Sequence, residues 1–453
     1  MMRKLLPILF FFTISISLII AQEKEERITI TGDSLVGKLI NNENIREVIG
    51  NVVLKQGGVT ITCNKAIQYL SKNEAQLIGN VVAVEDSTTI ITEEAFYSGK
   101  FKFAFSNSGV KLNDGKVDLT ADNGYYYFNE DRAYFYNNVK LKDSINTLTS
   151  QRLNYYEDEN KAVATLNVQI NDTSSTIYAD SLIHFRETET TFAFNNVEII
   201  NKNNEVNITG EYLENLGREK YSKITGNPLL TQIDTSDTGK IDTLLITAQV
   251  MEAFSDSTNK LIARDSVKIV RGSFSAINNY SIYYKGEDRF FTYKLTEERG
   301  QPLVWYEDSQ IIGDSIYVYL KDDELDWINI IGNAFLLSKN EGYEFRFNQV
   351  SGSNIKLYFK NEDLTRTNVN GNLLSIYYMY ENEEPNGLVQ SSSDKADLLF
   401  EDGKISSVKL YGTPESEFHP EPVILGKEKD FTLPSFIIFN NRPTKEQILK
   451  TKK

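Results

Sequence analysis

Residues 50–86 read GNVVLKQGGVTITCNKAIQYLSKNEAQLIGNVVAVED. The opening Gly50-Asn51-Val52-Val53 returns as Gly79-Asn80-Val81-Val82, and the register continues. Val52, Val81, Val110, Val139, Val168 and Val197 follow one another at intervals of 29 positions. Self-similarity at one period marks a repeat architecture, in which each unit buries its apolar face against its neighbours. The residue before each valine is Asn51, Asn80, Gly109, Asn138, Asn167 or Asn196. Asn and Gly tolerate a left-handed backbone at little cost, so this column predicts a repeated corner or bulge.

Counting from each valine sorts the other columns. Two positions on stand Leu54, Ala83, Leu112, Leu141 and Ile170; nine on stand Ile61, Ile90, Leu119, Leu148 and Ile177. Eleven on, all residues are small: Cys63, Thr92, Ala121, Ser150 and Ala179. Apolar positions two apart are the period of a strand with one buried face, and no helical stripe competes. The predicted apolar interior is therefore lined by Val52, Leu54, Ile61, Val81, Ile90, Val110, Leu112, Leu119, Val139, Leu141, Leu148, Val168, Ile170 and Ile177.

Turn chemistry separates these strands. Gln56-Gly57-Gly58, Asn113-Asp114-Gly115, Lys142-Asp143-Ser144 and Asn171-Asp172-Thr173 lie at one end of each unit. Ser71-Lys72-Asn73, Asn129-Glu130-Asp131 and 157–160 lie at the other. Two antiparallel strands per unit follow, each bent once at the Asn corner or the small column. The expected fold class is all-β, an antiparallel β-solenoid or elongated β-jellyroll of about 29 residues per repeat.

Beyond Val197 the register loosens. Units restart near Gly226-Asn227-Pro228, Asp265-Ser266-Val267, Gln301-Pro302-Leu303, Gly332-Asn333-Ala334 and Gly371-Asn372-Leu373. Longer connections at 234–240 and 381–394 account for the extra length. After Thr413-Pro414 the pattern stops and prolines recur. The expected organisation is a leader over 1–21, regular repeats over 22–200, a divergent continuation over 201–413 and an irregular tail over 414–453. Arg27 to Ser34 resembles half a repeat and reads as the N-terminal end of the stack.

The leader carries Arg3 and Lys4, an apolar run from Leu5 to Ile20, then Ala21-Gln22 and charged residues. That is the layout of a secretory signal peptide cleaved after Ala21, with an uncleaved anchor as the alternative. One cysteine in 453 residues excludes an internal disulfide framework. A formal charge of −15 argues against nucleic acid as a partner, because phosphate recognition needs a basic face.

Few residues invite chemistry. Cys63 sits in the small column, where packing explains it. His184 shares its column, sixteen after the valine, with Gln68, Tyr97, Tyr126 and Tyr155, and reads as a half-exposed aromatic position. His419 lies beside Pro420 with no assignable partner. Asp322-Asp323-Glu324 reads as a solvated turn, with a calcium site as the sharper alternative. Two histidines and no cysteine cluster predict no zinc site, no cofactor and no catalytic residues.

The run Gly50 to Gly57, followed by Val59-Thr60-Ile61-Thr62 and a small-acid pair, resembles the LptA/OstA (organic solvent tolerance protein A) family. The family's usual Ala-Asp pair stands at Ala121-Asp122 and Ala179-Asp180, but Cys63-Asn64 replaces it in the first unit. The resemblance covers about 28–200 and continues in phase to about 413. It implies a periplasmic β-jellyroll, working towards or at the outer membrane, that carries lipopolysaccharide or a related glycolipid without catalysis. It also implies partners of the same Lpt type, joined edge to edge by strand pairing. Two other classes stay open: a carbohydrate-active β-helix protein, and a surface structural or adhesin solenoid. The first needs paired acids on neighbouring rungs. The column twelve after the valine is Asn64, Glu93, Asp122, Gln151 and Asp180, which offers no such constancy.

Overall fold

Residues 27–202, 206–235, 241–287, 289–321, 324–340, 342–361, 363–382, 384–401 and 403–450 are described by a computed structural model. The leader and its cleavage site, residues 236–240 of one long connection, and Asp322-Asp323 lie outside these residues. The chain forms two compact units, Met1–Ser108 and Gly109–Lys453. Both are antiparallel β-structures of the solenoid or jellyroll class, built by hairpins that pair in sequence order. Among the described residues no helix is long and apolar enough to cross a membrane.

In Met1–Ser108, Glu43–Gln56 pairs with Val59–Tyr69, which pairs with Glu74–Glu85, which pairs with Thr88–Ser98. Inside it lie Val48, Leu54, Ala66, Ala75, Leu77 and Tyr97, each about fully buried. In Gly109–Lys453 the same ladder runs through Arg132–Lys142, Thr147–Tyr156, Lys161–Asn171, Ser175–Phe185 and Thr190–Asn201.

Most of the corners are bulges made of two left-handed residues rather than one. Gly50 and Asn51 have φ of 79° and 45°; Asn137 and Asn138 have 63° and 52°. The same pair stands at Gly226-Asn227, Gly332-Asn333 and Gly371-Asn372, and as Leu166-Asn167 and Asp265-Ser266. Register shifts there, from Ile49 to Val52 and from Tyr136 to Val139. Two residues of the bulged strand stand opposite one of its partner, and Ala133, Phe135, Val139 and Leu141 all point inward while the strand bends. The bend lets one strand serve two walls. Val206–Leu216 pairs with Leu229–Thr235 on one side of its corner and with Tyr221–Thr225 on the other.

One expectation is corrected. The stretch 381–394 is not a long connection: Asp363–Glu381 and Glu384–Glu401 are long strands, of 19 and 18 residues, joined by a tight turn. Ser391 and Ser392 look like loop but pair with Ser375 and Leu374, and the backbone ladder outweighs their weak strand propensity. The tail begins with one more strand and is otherwise mostly irregular in backbone. Glu415–Pro420 adds to Glu384–Glu401, after which the chain runs back over the outer face of one wall.

That return path has regular anchors. Arg346, only 2% exposed, pairs with Glu421 and Glu428 between the rings of Tyr343 and Tyr378. The Gln349 side chain donates to Phe431 O at 3.2 Å and accepts from Leu433 N at 2.8 Å. Gln310 repeats the arrangement with Ile437 O and Phe439 N, both at 2.8 Å. Arg442 donates to Glu307 O and Ser273 O, and Ile448 packs on Leu229, Leu245 and Val270. The tail thereby covers Trp305, Phe335, Leu337, Phe347 and Tyr378, whose wall is apolar on its outer face as well.

Candidate functional site

The fourteen interior positions expected from the repeat are all buried. Val52, Leu54, Ile61, Val81 and Ile90 lie inside the first unit; Val110, Leu112, Leu119, Val139, Leu141, Leu148, Val168, Ile170 and Ile177 lie inside the second. The ladder brings them together in rows. Leu119 faces Leu141, Leu141 faces Leu148, Leu148 faces Ile170, and Ile170 faces Ile177. None is more than 9% exposed. In these rungs the apolar side chains of the walls are shielded from solvent.

The column sixteen after the valine closes each rung, and here the expectation of half-exposure fails. Tyr97, Tyr126, Tyr155 and His184 are 0–5% exposed. Each reaches into the interior away from water; the three tyrosine hydroxyls find partners there, whereas the buried His184 Nε2 has none among the described residues. Tyr97 Oη donates to Gln56 Oε1 at 2.7 Å, and Tyr155 Oη donates to Asp114 Oδ2 at 2.7 Å. Asp114 in turn accepts from the N–H groups of Lys116 and Val117, so this member of the turn chemistry is also a buried anchor. Burial and the adjacent Asp114 push the Tyr155 phenol far above its ordinary range. His184 shares a hydrogen bond of 3.0 Å between Nδ1 and Thr191 Oγ1, and burial holds its imidazole below the usual value.

Two cavities lie in the divergent part of the second unit. A cavity of about 580 Å³ is lined by Ile311, Leu336, Val350, Leu357, Phe359, Leu373, Met379, Leu398 and Val408. A second, of about 210 Å³, is lined by Leu244, Ile246, Phe274, Phe290, Val318 and Leu325. The larger falls within the range of about 300–1,000 Å³ typical of ligand pockets. Periodicity missed both because strand alternation marks which face is inward but not whether opposite faces meet. None of the fourteen repeat positions lines either cavity.

The outermost strands have hydrogen-bonding edges. Ser34–Ile40 pairs along Glu43–Gln56 and leaves Leu35 and Leu39 53% and 67% exposed. Lys404–Tyr411 pairs along Glu384–Glu401, with Val408 and Tyr411 about half exposed.

The residues considered for chemistry have structural roles. Cys63 is buried in its small column and its Sγ donates to Lys65 O at 3.2 Å, while burial pushes the thiol up. His419 packs its ring 5.0 Å from that of Phe431. Among the described residues no group of three or more His, Cys, Asp or Glu is placed to hold a metal ion.

Comparison with known proteins places this geometry in context. The OstA-like protein family matches residues 25–180 and 152–245. Among solved structures, one that matches is the crystal structure of LptH, the LptA-homologous periplasmic component of the lipopolysaccharide transport device from Pseudomonas aeruginosa. It is 14% identical over 38% of this chain and 83% of its own, with a TM-score of 0.13, and at that score no geometry or ligand is carried across. No curated protein matches.

Proposed function

Because residues 25–245 are OstA-like, we propose that this chain is a non-catalytic lipid-transport scaffold of the periplasm. It shelters the acyl chains of lipopolysaccharide or a related glycolipid between its walls while the sugars stay in water. The observation that carries this reading is the mainly apolar cavity of about 580 Å³ in the second unit. Transfer of acyl chain out of water is favourable by roughly 0.8 kcal/mol per CH₂, which makes such a lining a lipid site without any directional chemistry.

The packed repeat rungs take part by parting. An acyl chain at Leu141 or Ile170 replaces one set of apolar contacts with another, so opening costs little once the lipid is present. Near-identical successive rungs also give no deep minimum at which a chain stalls. The edges of Ser34–Ile40 and Lys404–Tyr411 are suited to strand addition by other jellyroll domains of the same type, because unpaired N–H and C=O groups are a template for a further strand.

A photo-crosslinker tests this on adjacent residues of one strand. Leu357 lines the cavity, whereas Lys356 points outward over the ring of Trp327. Capture of lipopolysaccharide in cells from position 357 and not from 356 is expected, as is capture from 141 and not 140. Equal capture from inner and outer positions, or none from the inner ones, removes the transport reading and leaves a packed structural solenoid.

A further inference from the structure

The outer face of the second unit carries a cluster that the interior reading does not use. Tyr125 and Tyr134 are paired across neighbouring strands with ring centroids 6.3 Å apart, and Tyr136 lies 5.7 Å from Tyr134 and 6.4 Å from Tyr125. The three rings are inclined by 25–30° to one another, near parallel, and all are half-buried. They wall a shallow hollow of about 480 Å³ completed by Asn137, Gln151, Arg152 and Leu166. Asn137 and Leu166 are corner residues with φ of 63° and 67°, so two bulges make the depression in a surface that is otherwise a pleated wall.

Arg152 distinguishes this hollow from an ordinary cross-strand tyrosine pair. It lies opposite Tyr136 in the ladder and is exposed. Arg132, Arg264, Arg271, Arg299 and Arg366 are each matched with a carboxylate. Among the described residues the Arg152 guanidinium has no ion pair and no side-chain hydrogen bond, in a chain of net charge −15. Cross-strand stabilisation explains rings in contact; it does not explain an unmatched planar cation and two amides around them.

We propose that this hollow binds an acidic saccharide. The tyrosine faces take the C–H face of a hexose, the Arg152 fork takes its carboxylate or phosphate, and the Gln151 and Asn137 amides serve its hydroxyls. The site faces outward, so it goes beyond the lipid reading and does not depend on it. Its ligand chemistry is shared by a free acidic polysaccharide and by the headgroup of an acidic glycolipid.

The test is titration of the full chain with tetragalacturonate, with neutral maltotetraose, and with vesicles containing lipopolysaccharide, read by tyrosine fluorescence. Tetragalacturonate or the vesicles bind, maltotetraose binds at least tenfold more weakly, and whichever acidic probe binds identifies the source. Arg152→Gln and Tyr134→Thr each weaken that binding by about tenfold, while Tyr134→Phe, which keeps the ring, retains it within about threefold. Urea midpoints of the variants verify that they are folded. The proposal is overturned if neither acidic probe binds, if binding survives both Arg152→Gln and Tyr134→Thr, or if maltotetraose binds as well as tetragalacturonate.

Discussion

Asn138 donates from Nδ2 to Asp122 Oδ2 at 2.7 Å, tying the left-handed corner of one strand to the acid that ends its neighbour. The same bond joins Asn51 to Asp33, Asn196 to Asp180 and Asn333 to Asp314, at 2.8–2.9 Å. The Asn column and the small-acid pair are thus two halves of one device. Asn138→Ala loses the bond and places a Cβ-bearing residue without a compensating side chain at φ of 52°, for a cost of about 1–2 kcal/mol. Asn138→Gly loses only the bond and costs less. Urea unfolding that ranks the glycine variant below the alanine variant contradicts this account.

His184 makes stability depend on pH. Burial, only partly offset by Asp143 and reinforced by Arg186, holds its folded-state pKa below the ordinary 6.5. Between the folded and unfolded values the unfolded chain binds a proton that the folded chain refuses. Its contribution is therefore present above about pH 6.5 and is lost as pH falls below it. Replacement by Gln, the residue at the equivalent position 68, flattens that part of the stability profile. An unchanged slope between pH 7 and 5 in His184→Gln refutes the assignment.

The Arg346–Glu421 pair holds the returning tail. Removing Glu421 leaves a buried guanidinium with its main partner gone, at a cost on the order of 3 kcal/mol. Glu421→Ala accordingly becomes sensitive to limited proteolysis within 421–450 and binds a dye for exposed apolar surface. Arg346→Met, which removes the charge and keeps a long apolar side chain, is the milder change. Equal protease resistance of Glu421→Ala and the unaltered chain would show that the other anchors suffice.

Leu141 and Lys140 test the facing of the wall. Leu141 is 3% exposed and its neighbour is outward. An aspartate at 141 has no partner in the packed interior and destabilises by several kcal/mol, whereas Lys140→Asp stays within about 0.5 kcal/mol. Thermal melts of the two variants that coincide would place both side chains at the surface.

The period of 29 residues, the inward positions and the corner column were legible in the sequence because each rung is made by pairings between strands close in the chain. Leu141 meets Leu148 and Leu119 within one repeat length, so their shared face is written locally as alternation. The second left-handed residue at each corner was not legible. It is Gly50, Asn137 or Leu166, and a column of such mixed identity carries no compositional signal.

Other features arose only in three dimensions. His184 and Tyr155 read as half-exposed aromatic positions because a strand shows which wall a side chain belongs to, not whether a neighbouring turn folds over it. The anchoring of the tail was not legible because its contacts are remote: Gln310 reaches Ile437 across 127 positions and Thr243 reaches Lys445 across 202. Such contacts have no period. The sequence by itself determined an all-β stack with an apolar interior, since alternation and turn chemistry act over a few residues. Where that interior is filled and where it opens into a cavity was decided by tertiary structure alone, because it depends on how far the opposing walls stand apart.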